Sequence, residues 1–317
     1  MTWDDNDTSQ MNHVSGGGKL SRSSHTLTVI DNHAYIFGGE LTQRVSVDNT
    51  MYIYKLGMME PSNLKTLGDP VLPETRDPGN IPEPRVGAAS ATIGHLIFLW
   101  GGREMCPNSG LTDPPPIARS YHAMTASQTH LYIYGGCPVS GRLNDLYSYN
   151  PLTSRWTTLP ASTGISPRGG SALVYHRPQN KLVLFGGFNG KTETDDLYVF
   201  DVAANKWHES RNFIVSLPNS NLLVAMYGEL DPSPIGHADA GKFWEDVWRI
   251  NAEVGDNQEE LAIEWDRQHT STAVLPNEVE SRKPTPRGWF QVAGWNEKVV
   301  LSGGLNSNNE RLDDLWF

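Results

Sequence analysis

Cysteine is scarce in this chain: Cys106 and Cys137 are the only two in 317 residues. That excludes a disulfide framework and suits a reducing compartment. Long apolar runs are missing too, with none near the roughly 18 residues that a membrane-spanning helix requires. Basic residues are few, 25 Lys and Arg against 36 Asp and Glu, for a formal charge of −11. Phosphate recognition needs a basic face, so nucleic acid is not an expected partner. The opening MTWDDNDTSQ is acidic and polar, which does not read as a secretory signal. These absences lead us to expect a soluble, cytoplasmic protein with no membrane partner.

Glycine is plentiful, at 30 residues, and it is ordered. Doublets close apolar runs at IFGG (Gly38, Gly39), LWGG (Gly101, Gly102), IYGG (Gly135, Gly136), LFGG (Gly186, Gly187) and LSGG (Gly303, Gly304). AMYG, ending at Gly228, is a degenerate sixth copy. An arginine lies 16 to 18 residues before each: Arg22, Arg85, Arg119, Arg168, Arg211 and Arg287. One supersecondary unit written six times, with a period of roughly 40 to 50 residues, predicts propeller blades.

Each unit reads as four antiparallel strands with period-two alternation. Strand a follows the arginine (25–32, 88–95, 122–129, 171–178) and strand b runs into the doublet. Strand c starts on acidic or amide residues (48–55, 144–150, 195–201, 245–251, 313–317), and strand d carries Trp156, Trp207 or Trp265. R-x-x-H before strand a, Gly-Gly after b and D-L-Y before a strand-d tryptophan together resemble the kelch repeat. The resemblance implies an all-β, six-bladed kelch β-propeller, expected to fill residues 1–317 as a single domain. The last copy stops at strand c (Asp313 to Phe317), so the amino-terminal segment, with Trp3, is expected to add the missing strand and remove an open edge. The second copy is irregular. Only 16 residues separate Gly102 from Arg119, and the triplet Pro114 to Pro116 forbids an ordinary central strand.

Antiparallel pairing puts the end of strand b and the start of strand a on one face. The six arginines should therefore meet the residues after the doublets, Glu40, Arg103, Cys137, Phe188, Glu229 and Leu305, around one mouth. Tyr121, Trp289 and Phe290 stand beside the arginines as apolar walls. Guanidinium forks suit carboxylates, sulfates and carbonyl oxygens. On this reading Arg85, Arg119 and Arg287 are catalytic, with Glu229 and His237. Arg22, Arg168, Glu40, Arg103, Tyr121, Phe188, Trp289 and Phe290 bind substrate. The competing role for each arginine is to tie the repeats together.

The segment from Gly228 to Phe243 resembles a loop of the kelch-type specifier proteins of plant glucosinolate breakdown (nitrile-specifier, epithiospecifier and thiocyanate-forming proteins). There E-x-x-x-D-x-x-x-H binds ferrous iron. Here Glu229 and His237 hold the outer positions, but Ser233 replaces the aspartate, so the resemblance implies Fe(II) only with help from Asp231 or Asp239. No cofactor is the primary expectation. Fungal relatives of the specifiers belong to natural-product pathways. The resemblance thus implies a small-molecule enzyme of specialised metabolism that steers a reactive intermediate, in one form by a cofactor-free cycloaddition of the hetero-Diels–Alder type. The alternatives are the Fe(II)-dependent specifier reaction itself and a non-catalytic module that binds proteins.

Overall fold

The computed structural model describes residues 13–15, 18, 20–56, 82–102, 115–210, 222–233, 239–254, 261–268, 283–296 and 298–317. Among them the chain is built of antiparallel strands, with one 3₁₀ turn at Arg177–Gln179. None of the helices is long and apolar enough to cross a membrane. The repeats appear as six sheets, and two short hairpins follow the first and fifth doublets. The third and fourth sheets have the full complement: Ala123–Ala126, Leu131–Gly136, Leu143–Asn150 and Arg155–Leu159, then Ala172–His176, Lys181–Phe188, Glu193–Asp201 and Lys206–Ser210. The sixth sheet takes its outer strand from the amino-terminal segment, His13–Ser15, which pairs with Asp314–Trp316. Trp3 lies outside the described residues. In the second repeat only Ala88–Ile93 and Leu96–Gly101 pair among the described residues, in keeping with its irregular sequence.

Apolar residues pack between neighbouring sheets. One cluster joins Ile36 and Tyr54 of the first sheet to Val300 and Leu315 of the sixth, and another joins Tyr134 and Leu146 of the third to Leu182 and Phe200 of the fourth. Complete burial of each such side chain contributes about 1.5–3 kcal/mol.

The described repeat arginines bind within their own repeats. Arg119 is 2 % exposed. Its Nε donates to Ile117 O at 2.9 Å and Nη1 to Gly135 O at 3.0 Å. Both terminal nitrogens reach the Asp145 carboxylate, Nη2 to Oδ2 at 2.9 Å. Arg168 repeats this with Ser166 O, Gly186 O and Asp196, and Arg287 with Thr285 O, Gly303 O and Asp314. Arg22 reaches Gly38 O at 2.8 Å and Asp48 at 3.3 Å. Burial pushes the Asp196 carboxyl up, but hydrogen bonds and charge from Arg168 outweigh it and hold the group below its ordinary value.

The backbone of the same arginines links successive repeats. Arg85 O accepts from Gly39 N at 2.9 Å, Arg119 O from Gly102 N at 2.9 Å and Arg168 O from Gly136 N at 2.8 Å. Arg287 O accepts from Gly228 N at 3.1 Å, and Arg22 O from Gly304 N at 3.0 Å, so among the described residues the sixth repeat bonds to the first as the first, second, third and fifth bond to their successors. The doublet permits that approach. A Cβ on Gly38 (φ +69°) would stand 2.6 Å from Arg85 O, and one on Gly39 (φ +94°) 2.8 Å from Ser23 O. Two positions past the arginines, a second series of amide bonds runs Gly170→Tyr121→Gly87→Ser24→Trp289, at 2.8 to 3.0 Å.

Two measurements test this frame. Removing one partner of a buried ion pair costs about 3–5 kcal/mol. Asp145→Ala should therefore lower the urea midpoint severely, and Arg119→Lys, which keeps the charge and loses the fork, should lower it as well. A normal midpoint in both variants contradicts the clamp. The second measurement concerns His25 and His122, which lie 1 % and 6 % exposed at the position three after the arginine. Burial, then the charge of Arg22 or Arg119, lowers each imidazole to about 3. The unfolded chain takes these protons first, so stability is complete above about pH 6.5 and falls toward pH 3, by about 1.4 kcal/mol per pH unit per histidine. His25→Phe carries the residue of the sixth repeat (Phe290) and should reduce that slope by one histidine's share, measured as urea stability between pH 7 and 5.

Candidate functional site

The expected meeting of strand ends is observed. Isolated bridges join Ser23 to Glu40, Ser120 to Cys137, Gly169 to Phe188 and Gly288 to Leu305, all at the doublet end of the sheets. What gathers there differs from the sequence expectation. Arg22, Arg119, Arg168 and Arg287 are at most 2 % exposed, and their donors are directed into their own repeats. A planar fork among carbonyls and an aspartate is too fully used to take up a ligand as well. The substrate and catalytic roles expected of these four are therefore corrected to structural ones. Arg85 is half-buried and donates to Glu83 O and Gly101 O. Arg103, Arg211 and His237 lie outside the described residues.

The remaining positions divide the mouth in two. Beside the first repeat it is sealed. Glu40 is fully buried, accepts from Arg44 N at 2.6 Å and pairs with Arg311 at 3.6 Å. Leu305 is also fully buried. Beside the third to sixth repeats, polar and aromatic groups stay half-exposed. Arg142, six residues beyond the third doublet, lays its guanidinium over the Phe188 ring at 4.7 Å. Its Nε is buried and has no hydrogen-bond partner among the described residues. Glu193 stands opposite Phe188 in the strand pairing. Burial, then the charge of Glu229, pushes its carboxyl up to about 7, against the opposing pull of Arg142.

Glu229 begins the hairpin after the fifth doublet and pairs with Phe243. Gly241 lies against it, and a Cβ there would collide with the Asp231 carbonyl oxygen, so glycine is required at that position. Burial, then the charge of Asp231, raises the Glu229 carboxyl, and a hydrogen bond from the Trp289 side chain opposes the rise. Trp289 and Tyr121 are held at φ +54°, and the Tyr121 ring lies against Gly87. Phe290 packs against Gly304 and edge-on to Tyr227 at 6.1 Å, which places it in the wall between the fifth and sixth sheets. Tyr227 occupies the first doublet position at φ +51°, a conformation in which a bulky residue is strained by about 1–3 kcal/mol.

The described iron-ligand positions do not assemble a metal site. Trp289 holds Glu229, and the exposed Asp231 pairs with Lys242 at 3.3 Å. No cluster of three metal-ligating side chains occurs among the described residues. Sequence reasoning missed Arg142 and Glu193. Both stand six residues past their doublet, a position whose residue type changes from copy to copy, so a search for recurring residues passed over both.

Comparison with known proteins places this geometry. The profile described as "KLHDC2/KLHL20/DRC7 Kelch-repeats domain" matches residues 24–220. An "N-(sulfonatooxy)prop-2-enimidothioate sulfolyase" of Thlaspi arvense is 22% identical, over 95% of this chain and 94% of its own. "Acyl-CoA-binding domain-containing protein 4" of Arabidopsis thaliana is 26% identical over 61% of this chain, which spans only 31% of that relative. Among solved structures, "Structure of YjhT" superposes with a TM-score of 0.61 at 15% identity, covering 94% of both chains. A profile match across more than half of the sequence, on sheets joined by the arginine and glycine bonds described above, establishes that the chain belongs to the kelch-repeat family and has a β-propeller fold.

Proposed function

We propose that this protein is a small-molecule enzyme that steers a reactive, anionic intermediate at the open half of the doublet mouth. One observation carries the reading. Arg142 stacks on Phe188, Glu193 faces Phe188 across the strand pairing, and Glu229, held by Trp289, lies near enough to raise the Glu193 carboxyl, so four repeats contribute and both carboxyls are displaced upward from their ordinary range. Apolar walls with a few convergent, perturbed polar groups are the marks of a ligand site. The full-length similarity to a sulfolyase supports a lyase-type reaction in which sulfate leaves a small organic molecule.

Such a reaction builds negative charge on the departing oxygens. Arg142, steadied by the Phe188 ring, is the cation positioned to meet that charge, and the Trp289–Glu229 pair fixes the opposite wall. Glu193, its carboxyl pushed up to about 7, offers a hydrogen-bond donor whenever it holds its proton. A cofactor-free cycloaddition of the hetero-Diels–Alder type, in a pathway of specialised metabolism, is the second reading. It draws on the aromatic walls Phe188, Trp289 and Tyr121, since holding reactants together can remove about 7–11 kcal/mol of a barrier. An iron-assisted form would draw on His237, which lies outside the described residues.

The test uses N-(sulfonatooxy)prop-2-enimidothioate, with sulfate release and organic products followed against a protein-free background. The wild-type protein should accelerate release or redirect the products. Arg142→Met should reduce that effect by about 10²–10³-fold, the loss expected for one preorganised donor. Asp31→Asn, a change on the exposed turn between the first two strands, should leave the effect intact. Products and rates identical with and without the wild-type protein would rule out the lyase reading.

A further inference from the structure

The opposite end of the sheets carries a second concavity. Between the third and fourth sheets, beside the turns at 127–130 and 177–180, lies a cleft of about 400 Å³. That volume falls in the range of small-molecule sites. Its origin is visible in the strand pairing. Ser148 faces Tyr132, whereas the matching pair is Tyr35 with Ile53 in the first sheet and Val183 with Val199 in the fourth. A hydroxymethyl group replaces a branched aliphatic side chain, which leaves space and lines it with a hydroxyl.

The walls are aromatic and uncharged. The Tyr132 and Tyr175 rings lie within 15° of parallel with centroids 6.2 Å apart, and Phe200 and Leu159 complete the apolar side. Among the described residues no Asp, Glu, Lys or Arg lines the cleft. The nearby Lys181 and Asp201 pair with each other at 4.0 Å. His130, at the rim, sits between Asn150 and Thr129. The Asn150 carbonyl accepts from Leu152 N and Thr153 N, which turns its amide nitrogen toward His130 Nε2 at 3.4 Å. Nε2 therefore accepts, and Nδ1 carries the hydrogen and donates to Thr129 Oγ1 at 2.9 Å. The Thr129 hydroxyl hydrogen is left for a further acceptor.

We propose that this cleft is a second small-molecule site, separate from the doublet mouth, for an uncharged ring compound bearing a hydroxyl or carbonyl oxygen. A flat ring finds apolar area on Tyr175 and Leu159, and its oxygen finds the hydroxyls of Ser148 and Thr129. An ion would lose its hydration here with no opposite charge to compensate.

The experiment is a titration of the intact protein with phenol, followed by NMR of the His130 imidazole and the Tyr175 ring, with benzoate as the charged comparison. Saturable shifts with millimolar affinity, the strength a ligand of so few atoms reaches, are expected for phenol and not for benzoate. Ser148→Val, which installs the residue of the fourth sheet, should weaken phenol at least about tenfold while the unfolding midpoint is kept. Absence of saturable shifts, equal affinity for benzoate, or unchanged phenol binding in Ser148→Val would each overturn the assignment. None of these readings depends on turnover at the mouth, so this site and the proposed reaction stand or fall separately.

Discussion

An arginine that works in two repeats at once holds the structure together. Its side chain closes its own sheet, gripping the carbonyl of the first doublet glycine and an aspartate of strand c, as Arg119 does with Gly135 and Asp145. Its carbonyl closes the seam to the preceding repeat by accepting from the second doublet glycine, as in Gly102 N to Arg119 O at 2.9 Å. The fixed spacing of arginine and doublet thus follows from geometry. One residue has to meet glycines in its own repeat and in its neighbour's, and a Cβ at Gly38, Gly39, Gly135, Gly136, Gly303 or Gly304 would collide with backbone. Buried charge is tolerated because the guanidinium groups of Arg22, Arg119, Arg168 and Arg287 each find a carboxylate and a carbonyl.

That economy decides where chemistry can sit. Groups consumed by the repeat cannot also serve a ligand, so function falls to residues that the repeat does not dictate. Arg142, Glu193, Glu229 and Trp289 belong to loops and hairpins whose sequences differ from copy to copy. The mouth is accordingly lopsided. Around the first repeat Glu40 and Arg311 neutralise each other in the interior, and between the third and sixth repeats carboxyls remain half-buried and displaced. The left-handed aromatics add to this picture. Tyr121 and Trp289 sit at φ +54° in positions filled by glycine in the second and fourth repeats, Gly87 and Gly170, so the frame supports strain at this rim.

The opposite face is governed by a different rule. There the turns are short, and departures from the repeat show up as gaps in packing. Exchange of a branched aliphatic side chain for Ser148 opens the seam between the third and fourth sheets. The two faces of one ring thus vary independently, one through its loops and the other through single side chains inside the strands.

The repeat, the antiparallel order of its strands and the contribution of the amino-terminal segment to the last sheet were all legible in the sequence, because they depend on spacing and alternation that recur. The shared face for doublets and arginines was legible for the same reason. The direction of each side chain was not. Arginines before strand a could equally have faced a ligand or the sheet, and only the positions of Asp48, Asp145, Asp196 and Asp314, 26 to 28 residues along the chain, settle that they face inward. The convergence of Arg142 with Glu193 and Glu229 likewise has no signature in one dimension. It arises where three successive repeats turn about a common axis, and distance along the chain carries no record of it.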